Sequence, residues 1–102
     1  MKQVSIFVGL NKAGTNVQTI STVDALHIIE NVIATYTDGA TLRECRGIYT
    51  NRNGIISYET TIEGIFFDPD MNAIKSICNT LKSVLQQECI YANIQNIETI
   101  EF

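Results

Sequence analysis

The segment 40–67, ATLRECRGIYTNRNGIISYETTIEGIFF, decides the fold. Two runs rich in β-branched and aromatic residues flank the dipeptide Asn53-Gly54. Such a dipeptide favours a two-residue type I′ hairpin turn, because that turn needs positive φ at both of its central positions. The sequence therefore predicts two antiparallel strands, over residues 40–50 and 55–67.

A turn centred on this dipeptide also fixes which residues face each other. It places Tyr49 opposite Tyr58 and Glu44 opposite Glu63. The second pair is unfavourable because like charges would lie side by side, and a β-bulge following Arg43 would separate them. Apolar side chains fall on both faces of the hairpin, and a sheet of this kind usually has its second face covered by another subunit. We therefore expect a homodimer or a larger homo-oligomer.

The segment before the hairpin has the pattern of a strand followed by a helix. Apolar residues alternate over residues 4–10, which predicts a strand rather than a signal peptide. Ser21 and Asp24 form a capping box at the start of an amphipathic helix that extends to Tyr36. Gly39 suits the left-handed conformation that commonly closes a helix.

The segment after the hairpin predicts a second helix and a last strand. Asp68 is expected to cap the helix and Pro69 to occupy its first position, ahead of an apolar stripe over residues 71–85. The last strand is expected from residue 88 or 89 to 102, with a bulge near Asn96 where the alternation changes phase. The order β-α-β-β-α-β predicts an α+β fold, the ferredoxin-like two-layer sandwich, in which an antiparallel sheet carries both helices on one face. A chain of 102 residues is expected to form a single domain of this type.

Composition narrows the classes of partner. The net charge of -4 argues against binding along a nucleic-acid backbone, which requires a basic surface. No apolar run approaches the roughly 18 residues that span a membrane, so we expect no membrane contact. The cysteines Cys45, Cys78 and Cys89 are odd in number and form no CxxC pair, which favours three reduced and mostly buried thiols in a cytoplasmic protein. We predict neither a cofactor nor a metal site.

All three arginines of the chain lie in the hairpin, at Arg43, Arg46 and Arg52. Guanidinium groups bind phosphates and carboxylates through paired N–H donors, and neighbouring tyrosines can stack on a base. The candidate ligand-binding residues are Arg43, Arg46, Tyr49, Tyr58 and Glu59. The expected ligand is a small nucleotide-like anion, and the alternative for the arginines is ion pairing with neighbouring glutamates.

The sequence gives no catalytic motif. His27, the sole histidine, is expected on the solvent side of the first helix, and no nucleotide-binding, hydrolase or metalloprotease signature occurs. Gln87 and Glu88 follow the second helix. They either terminate that helix or line the same end of the sheet as the anion site.

Several short motifs resemble those of a family of small uncharacterised bacterial and phage domains. In that family a strand opens as F-x-G-L, an Asp-Gly pair precedes strand two, and a G-x-Y pattern closes it. A G-x-I-x-x-E pattern follows the turn, and a Gln-Glu pair precedes the last strand. The matching residues here are IFVGLN in the first strand and Asp38, Gly39, Gly47, Tyr49, Gly54, Ile56, Glu59, Gln87 and Glu88. The resemblance implies no established activity, but the relatives in phages and mobile elements favour interference with a host process.

The leading hypothesis is a non-enzymatic phage or mobile-element protein that acts against host defence by sequestering a small nucleotide-like anionic signal. The first alternative is a protein–protein inhibitor of a host defence factor, in the manner of an anti-CRISPR protein. The second is a small dimeric enzyme of ferredoxin-like fold, with Glu59 or a tyrosine as its active group. The expected partners are accordingly a second copy of the chain, and either a phosphorylated small molecule or a host protein.

Overall fold

The computed structural model describes residues 1–50 and 52–102. Within them, strands and helices follow one another as β1 Lys2–Gly9, α1 Thr22–Tyr36, β2 Thr41–Thr50, β3 Ile56–Phe67, α2 Met71–Val84 and β4 Tyr91–Asn96. The four strands form one antiparallel sheet in the spatial order β2-β3-β1-β4. The predicted α+β fold, a ferredoxin-like sandwich, is confirmed.

The core lies between one face of the sheet and the two helices. Alternate residues of β1 are buried there, and they pair with buried residues of β3: Val4 with Phe66, and Val8 with Ile62. The helices contribute apolar residues at helical spacing, Ala25, Ile29 and Ile33 from α1 and Ile74, Ile77 and Leu81 from α2. Successive side chains of a strand point to opposite faces. The strand residues between the buried ones therefore lie on the face opposite the helices, which we call the open face.

The connection between β2 and β3 is longer than predicted. Thr50 pairs with Ile56, so the connection between the two strands is not a two-residue turn. Gly54 adopts a positive φ of 76°, whereas Asn53 does not. The prediction of a type I′ turn was therefore wrong, because that turn requires positive φ at both positions.

This longer connection shifts the register by one residue, and such a shift exchanges the two faces of a strand. Tyr49 pairs with Ser57 rather than with Tyr58, so the two tyrosines lie on opposite faces of the sheet. Arg43 pairs with Glu63, which replaces the unfavourable glutamate pair by an ion pair without a bulge in the pairing from Thr41 to Thr50. Charge pairing and core packing together set the register here, because they contribute more than the local turn preference of Asn53-Gly54.

Helix α1 begins as predicted and ends differently. The Ser21 hydroxyl accepts a hydrogen bond from the Asp24 N–H at 3.1 Å, which is the predicted cap. At the other end Thr37 is the C-cap, with extended backbone, and Gly39 does not adopt positive φ. The chain leaves α1 directly toward β2, so no left-handed residue is needed.

Helix α2 is capped by Asp70 rather than by Asp68. The Asp70 carboxylate accepts a hydrogen bond from the Asn72 N–H at 2.8 Å. Asp68 instead donates its N–H to the carbonyl of Lys2 at 2.6 Å, which keeps it attached to the sheet. Pro69 therefore precedes the helix instead of occupying its first position.

The end of α2 and the start of β4 also differ from prediction. Gln86 has a φ of 53°, and the Gln87 N–H donates to the carbonyl of Lys82 at 2.9 Å. This is the Schellman arrangement, with a glutamine at the left-handed position that glycine usually occupies. Strand β4 ends at Asn96, so the change of alternation there marks the end of the strand and not a bulge.

Candidate membrane-spanning helices and metal-binding groups are both absent from residues 1–50 and 52–102. No helix there is long and apolar enough to cross a membrane. In the same ranges no group of three or more His, Cys, Asp or Glu side chains is arranged to hold a metal ion.

The three cysteines form no disulfide with one another, and Cys89 is exposed, in contrast to the expected burial. Cys45 and Cys78 are half-buried, and burial raises the pKa of the Cys78 thiol.

Candidate functional site

Glu59 lies on the open face of β3, between glycines of the two neighbouring strands. Gly47 is its direct partner on β2, and Gly9 at the end of β1 pairs with Thr61, two residues further along β3. A Cβ atom at Gly9 would lie 2.5 Å from the carboxylate carbon of Glu59. Glycine inside a strand often marks such a close approach. The carboxylate thus fills the space that a side chain at Gly9 would need.

The Glu59 carboxylate is also held by the backbone. The Asn11 N–H donates to its Oε2 atom at 2.9 Å. Asn11 is 5% exposed, and its side-chain amide donates to the carbonyl of Tyr58 at 3.1 Å. We call Gly9, Asn11, Gly47 and Glu59 the Glu59 trough. It presents a carboxylate of fixed position on a surface with little side-chain cover.

A cavity of about 290 Å³ opens over the trough, and we call it the open-face cavity. Three of its lining residues are aromatic, namely Phe7, Tyr49 and Tyr91. Others are Lys12, Thr61, Gln87, Glu88 and Cys89. A hydrogen bond with Cys89 raises the pKa of the Tyr91 hydroxyl. The cavity therefore combines flat apolar surfaces with a fixed carboxylate and one lysine.

A larger cavity, of about 650 Å³, lies by the other face of the β2–β3 hairpin. We call it the helix-side cavity. The Arg46 guanidinium stacks over the Tyr58 ring at 4.6 Å from its centroid, and both residues line this cavity together with Glu44. Asn11 and Glu59 line both cavities. The trough therefore lies between two separate spaces.

The five sequence-predicted ligand residues are divided between these spaces. Tyr49 and Glu59 line the open-face cavity, whereas Arg46, Tyr58 and Glu59 line the helix-side cavity. Arg43 lies apart from both, in an ion pair with Glu63.

The Arg43–Glu63 pair joins an exposed cation to a buried anion. The side chain of Glu63 is 8% exposed and that of Arg43 is 66% exposed. The Glu63 carboxylate raises the pKa of the Arg43 guanidinium through its hydrogen bond and its charge. For Arg43, the contact observed is therefore the ion pair that was the alternative to ligand binding.

Sequence reasoning missed the residues that build the trough. Gly9 and Asn11 belong to the IFVGLN motif, but the sequence assigns neither of them a role in a site, and the same holds for Lys12. Gln87 ends α2, which is one of its two predicted roles. It also lines the open-face cavity with Tyr49 and Glu59, whereas Arg43 and Arg46 of the predicted anion site lie elsewhere. The one signal for the trough in the sequence is a glycine inside an otherwise alternating strand.

The fold is that of a ferredoxin-like α+β sandwich. Comparison with protein-family models gives no match, and neither does comparison with curated proteins. Among solved structures, a phage SAM lyase in complex with S-methyl-5′-thioadenosine is similar, with a TM-score of 0.69 and 23% identity over 92% of this chain and 79% of that chain. A phage SAM lyase in the apo state gives a TM-score of 0.72 and 22% identity over 92% of this chain and 78% of that chain. A DUF3240 family protein from Shewanella baltica gives 0.52 and 13% over 99% and 94%.

These likenesses correct one prediction and support another. Identities of this size show the fold alone. The resemblance to small bacterial and phage domains is confirmed at that level, while the short motifs that suggested it stay a prediction. The expectation of a non-enzymatic protein is contradicted, because the phage SAM lyase that shares this fold is an enzyme.

Proposed function

We propose that the protein is a lyase that cleaves S-adenosylmethionine (SAM) and releases S-methyl-5′-thioadenosine. The observation that carries the proposal is the Glu59 trough, a fixed carboxylate beneath an aromatic-lined cavity. The likeness to a phage SAM lyase over 92% of the chain supports the choice of substrate. In a phage setting, consumption of this methyl donor would act against host systems that depend on it.

The chemistry of the open-face cavity suits the parts of this substrate. SAM carries a flat adenine, a positive sulfonium and a zwitterionic amino-acid end. Tyr49 and Tyr91 provide ring faces for the adenine, since bases stack on aromatic side chains. Glu59 and Lys12 provide the opposite charges that an α-ammonium and an α-carboxylate require. The proposed ligand is thus different from the small anion expected from the arginines. Its binding depends more on the Glu59 carboxylate than on the guanidinium groups.

The proposed reaction balances without a further reagent. Release of S-methyl-5′-thioadenosine breaks the bond between the sulfur and Cγ of the methionine part, and the electron pair goes to sulfur. A lyase adds no water, so the four-carbon fragment closes internally. Its own carboxylate oxygen attacks Cγ and forms a five-membered lactone. No proton acceptor is needed for this displacement, because the reacting groups are an anion and a sulfonium cation.

The charge changes in this step define what Glu59 can do. The sulfonium loses its charge in the transition state, so a carboxylate placed on sulfur would stabilise the substrate more than the transition state. The α-ammonium keeps its charge throughout. We therefore assign Glu59 to the α-ammonium, where it would bind the amino-acid end and orient the substrate carboxylate toward Cγ. Phe7, Tyr49 and Tyr91 would exclude water, which favours a reaction that annihilates two charges.

A second copy of the chain would complete this environment. Tyr49 is 45% exposed and Tyr91 is 74% exposed, so the cavity is bounded on one side only. A partner subunit over the open face would close it and remove more water. The expected homo-oligomer is therefore part of the proposal.

The test is incubation of the purified protein with SAM and detection of S-methyl-5′-thioadenosine and homoserine lactone by mass spectrometry. Glu59→Gln removes the charge that binds the α-ammonium, and a hydrogen bond to a charged group contributes about 1.5–3 kcal/mol. We expect kcat/KM to fall about 10- to 150-fold. Glu30→Gln, an exposed site on α1, is the matched control and should behave as wild type. Absence of both products with the wild-type protein would refute the proposal.

A further inference from the structure

Three elements of the fold meet at Asn11, just after β1. Its N–H donates to the Glu59 carboxylate at 2.9 Å, and its side-chain amide donates to the Tyr58 carbonyl at 3.1 Å. Its own carbonyl accepts a hydrogen bond from Nε2 of Gln87 at 2.6 Å. The Asn11 carbonyl belongs to the planar peptide that joins Asn11 to Lys12, and the N–H that faces Glu59 lies one Cα away, beyond the ψ and φ dihedrals of Asn11. The Gln87 bond therefore anchors one side of this Cα, together with the hydrogen bond from the Lys12 N–H to the Val17 carbonyl at 2.8 Å.

Gln87 is suited to restrain Asn11 because its own backbone is fixed. Its N–H donates to the carbonyl of Lys82 at 2.9 Å, which closes the last turn of α2. The preceding residue, Gln86, adopts a left-handed conformation that few side chains accept. Gln87 itself is half-buried, so its side chain has a defined starting point and limited freedom. The end of α2 is thus connected to β3 through two consecutive hydrogen bonds.

We propose that Gln87 is a positioning residue, which sets the place of the Glu59 carboxylate through Asn11. This inference rests on the proposed function, since it assigns Gln87 a role in the same reaction. Gln87 does not bind the α-ammonium; it limits how far the carboxylate that does so can move. Loss of the Gln87 amide removes one of the bonds that hold the backbone at Asn11, while the bonds from the Asn11 side chain to the Tyr58 carbonyl and from the Lys12 N–H to the Val17 carbonyl remain. The N–H that faces Glu59 should therefore shift without loss of the fold.

The experiment compares Gln87→Ala with wild type in two measurements. The first is kcat/KM for SAM, which should fall at least about tenfold, because small displacements of orienting groups are costly. The second is the dissociation constant for S-methyl-5′-thioadenosine, which should not change, because this molecule has no amino-acid end for Glu59 to bind. A merely structural role for Gln87 would weaken both, since both ligands use the same cavity.

Two further variants complete the design. Gln87→Glu keeps the volume of the side chain but cannot donate to the Asn11 carbonyl, so it should lose activity to the same extent as a folded Gln87→Ala variant. It therefore tests the hydrogen bond even if Gln87→Ala does not fold. Asn79→Ala removes an exposed amide from α2, away from the open face, and should leave both measurements at wild-type values.

The outcomes separate this inference from the proposed function. Wild-type kcat/KM in both Gln87 variants would overturn the positioning role while the lyase activity stands. Parallel loss of activity and of S-methyl-5′-thioadenosine binding would also overturn it. A wild-type protein that releases no S-methyl-5′-thioadenosine overturns the proposed function, and with it the reaction in which Gln87 would act.

Discussion

Replacing Gly9 by alanine should disable the Glu59 trough and leave the fold intact. The new Cβ would lie 2.5 Å from the carboxylate carbon of Glu59, whereas ordinary contacts begin at 3.4 Å. The difference, 3.4 minus 2.5, requires a displacement of about 0.9 Å. The carboxylate is the end of a flexible side chain, so it moves instead of the backbone. A misplacement of about 1 Å can cost about 100-fold in rate, which is the fall in kcat/KM that we expect.

The same change should have a small effect on stability. Displacement of Glu59 removes the hydrogen bond from Asn11, and a hydrogen bond to a charged group contributes about 1.5–3 kcal/mol. Alanine in place of glycine offsets part of this loss, by about 0.4–1 kcal/mol, through the entropy of the unfolded chain. A net loss of 1 kcal/mol would lower the melting temperature by about 4–8 °C in a domain of this size.

The assay is release of S-methyl-5′-thioadenosine, measured beside a thermal melt, for Gly9→Ala and Gly39→Ala. A Cβ at Gly39 would have no heavy atom of the described residues within 4 Å beyond its chain neighbours, and this residue lies outside the Glu59 trough. The Gly39 variant should therefore keep its activity. Wild-type turnover in Gly9→Ala would refute the reasoning, and so would an equal loss in both variants.

Further predictions concern charge pairs, thiols and assembly. Arg43→Ala should lower the melting temperature, because the buried Glu63 carboxylate loses its partner. Adding Glu63→Gln should recover most of this loss. A double variant that is no more stable than Arg43→Ala would contradict the pairing. Iodoacetamide should modify the exposed Cys89 before Cys78, as followed by peptide mass spectrometry, and equal rates would count against the burial of Cys78. Burial raises the pKa of the Cys78 thiol on folding, so the contribution of this thiol to stability is present below the ordinary pKa of 9.0 and is lost as the pH rises past that value. The free energy of unfolding should therefore decline above pH 9.0, and it should decline less in Cys78→Ala. Native mass spectrometry should give a dimer or larger homo-oligomer, and a monomer at micromolar concentration would argue against a covered open face.

The parts of the fold that depend on local pattern could be predicted from the sequence. The alternation in β1 and the cap at Ser21 are set by neighbours along the chain, and both are found where expected. The register of the hairpin depends instead on contacts across the sheet. Arg43 meets Glu63 only when the turn is lengthened, and a preference at Asn53-Gly54 could not outweigh that pairing.

The candidate site was predictable only in part, for a similar reason. Tyr49 and Glu59 were named because both lie in the hairpin, and both line the open-face cavity. The roles of Gly9 and Asn11 arise where the end of β1 passes β3, some fifty residues further along the chain. No local pattern records that approach. A glycine that interrupts a strand was its only trace.

The central position of β1 has a consequence for how the protein folds. This strand is synthesised before both of its partners, β3 and β4, and Lys2 pairs with Asn96. Bringing such distant segments together carries a loop-closure entropy cost before any contact offsets it. High contact order of this kind slows folding. Both edges of β1 therefore remain unpaired during translation until β3 and β4 have been synthesised.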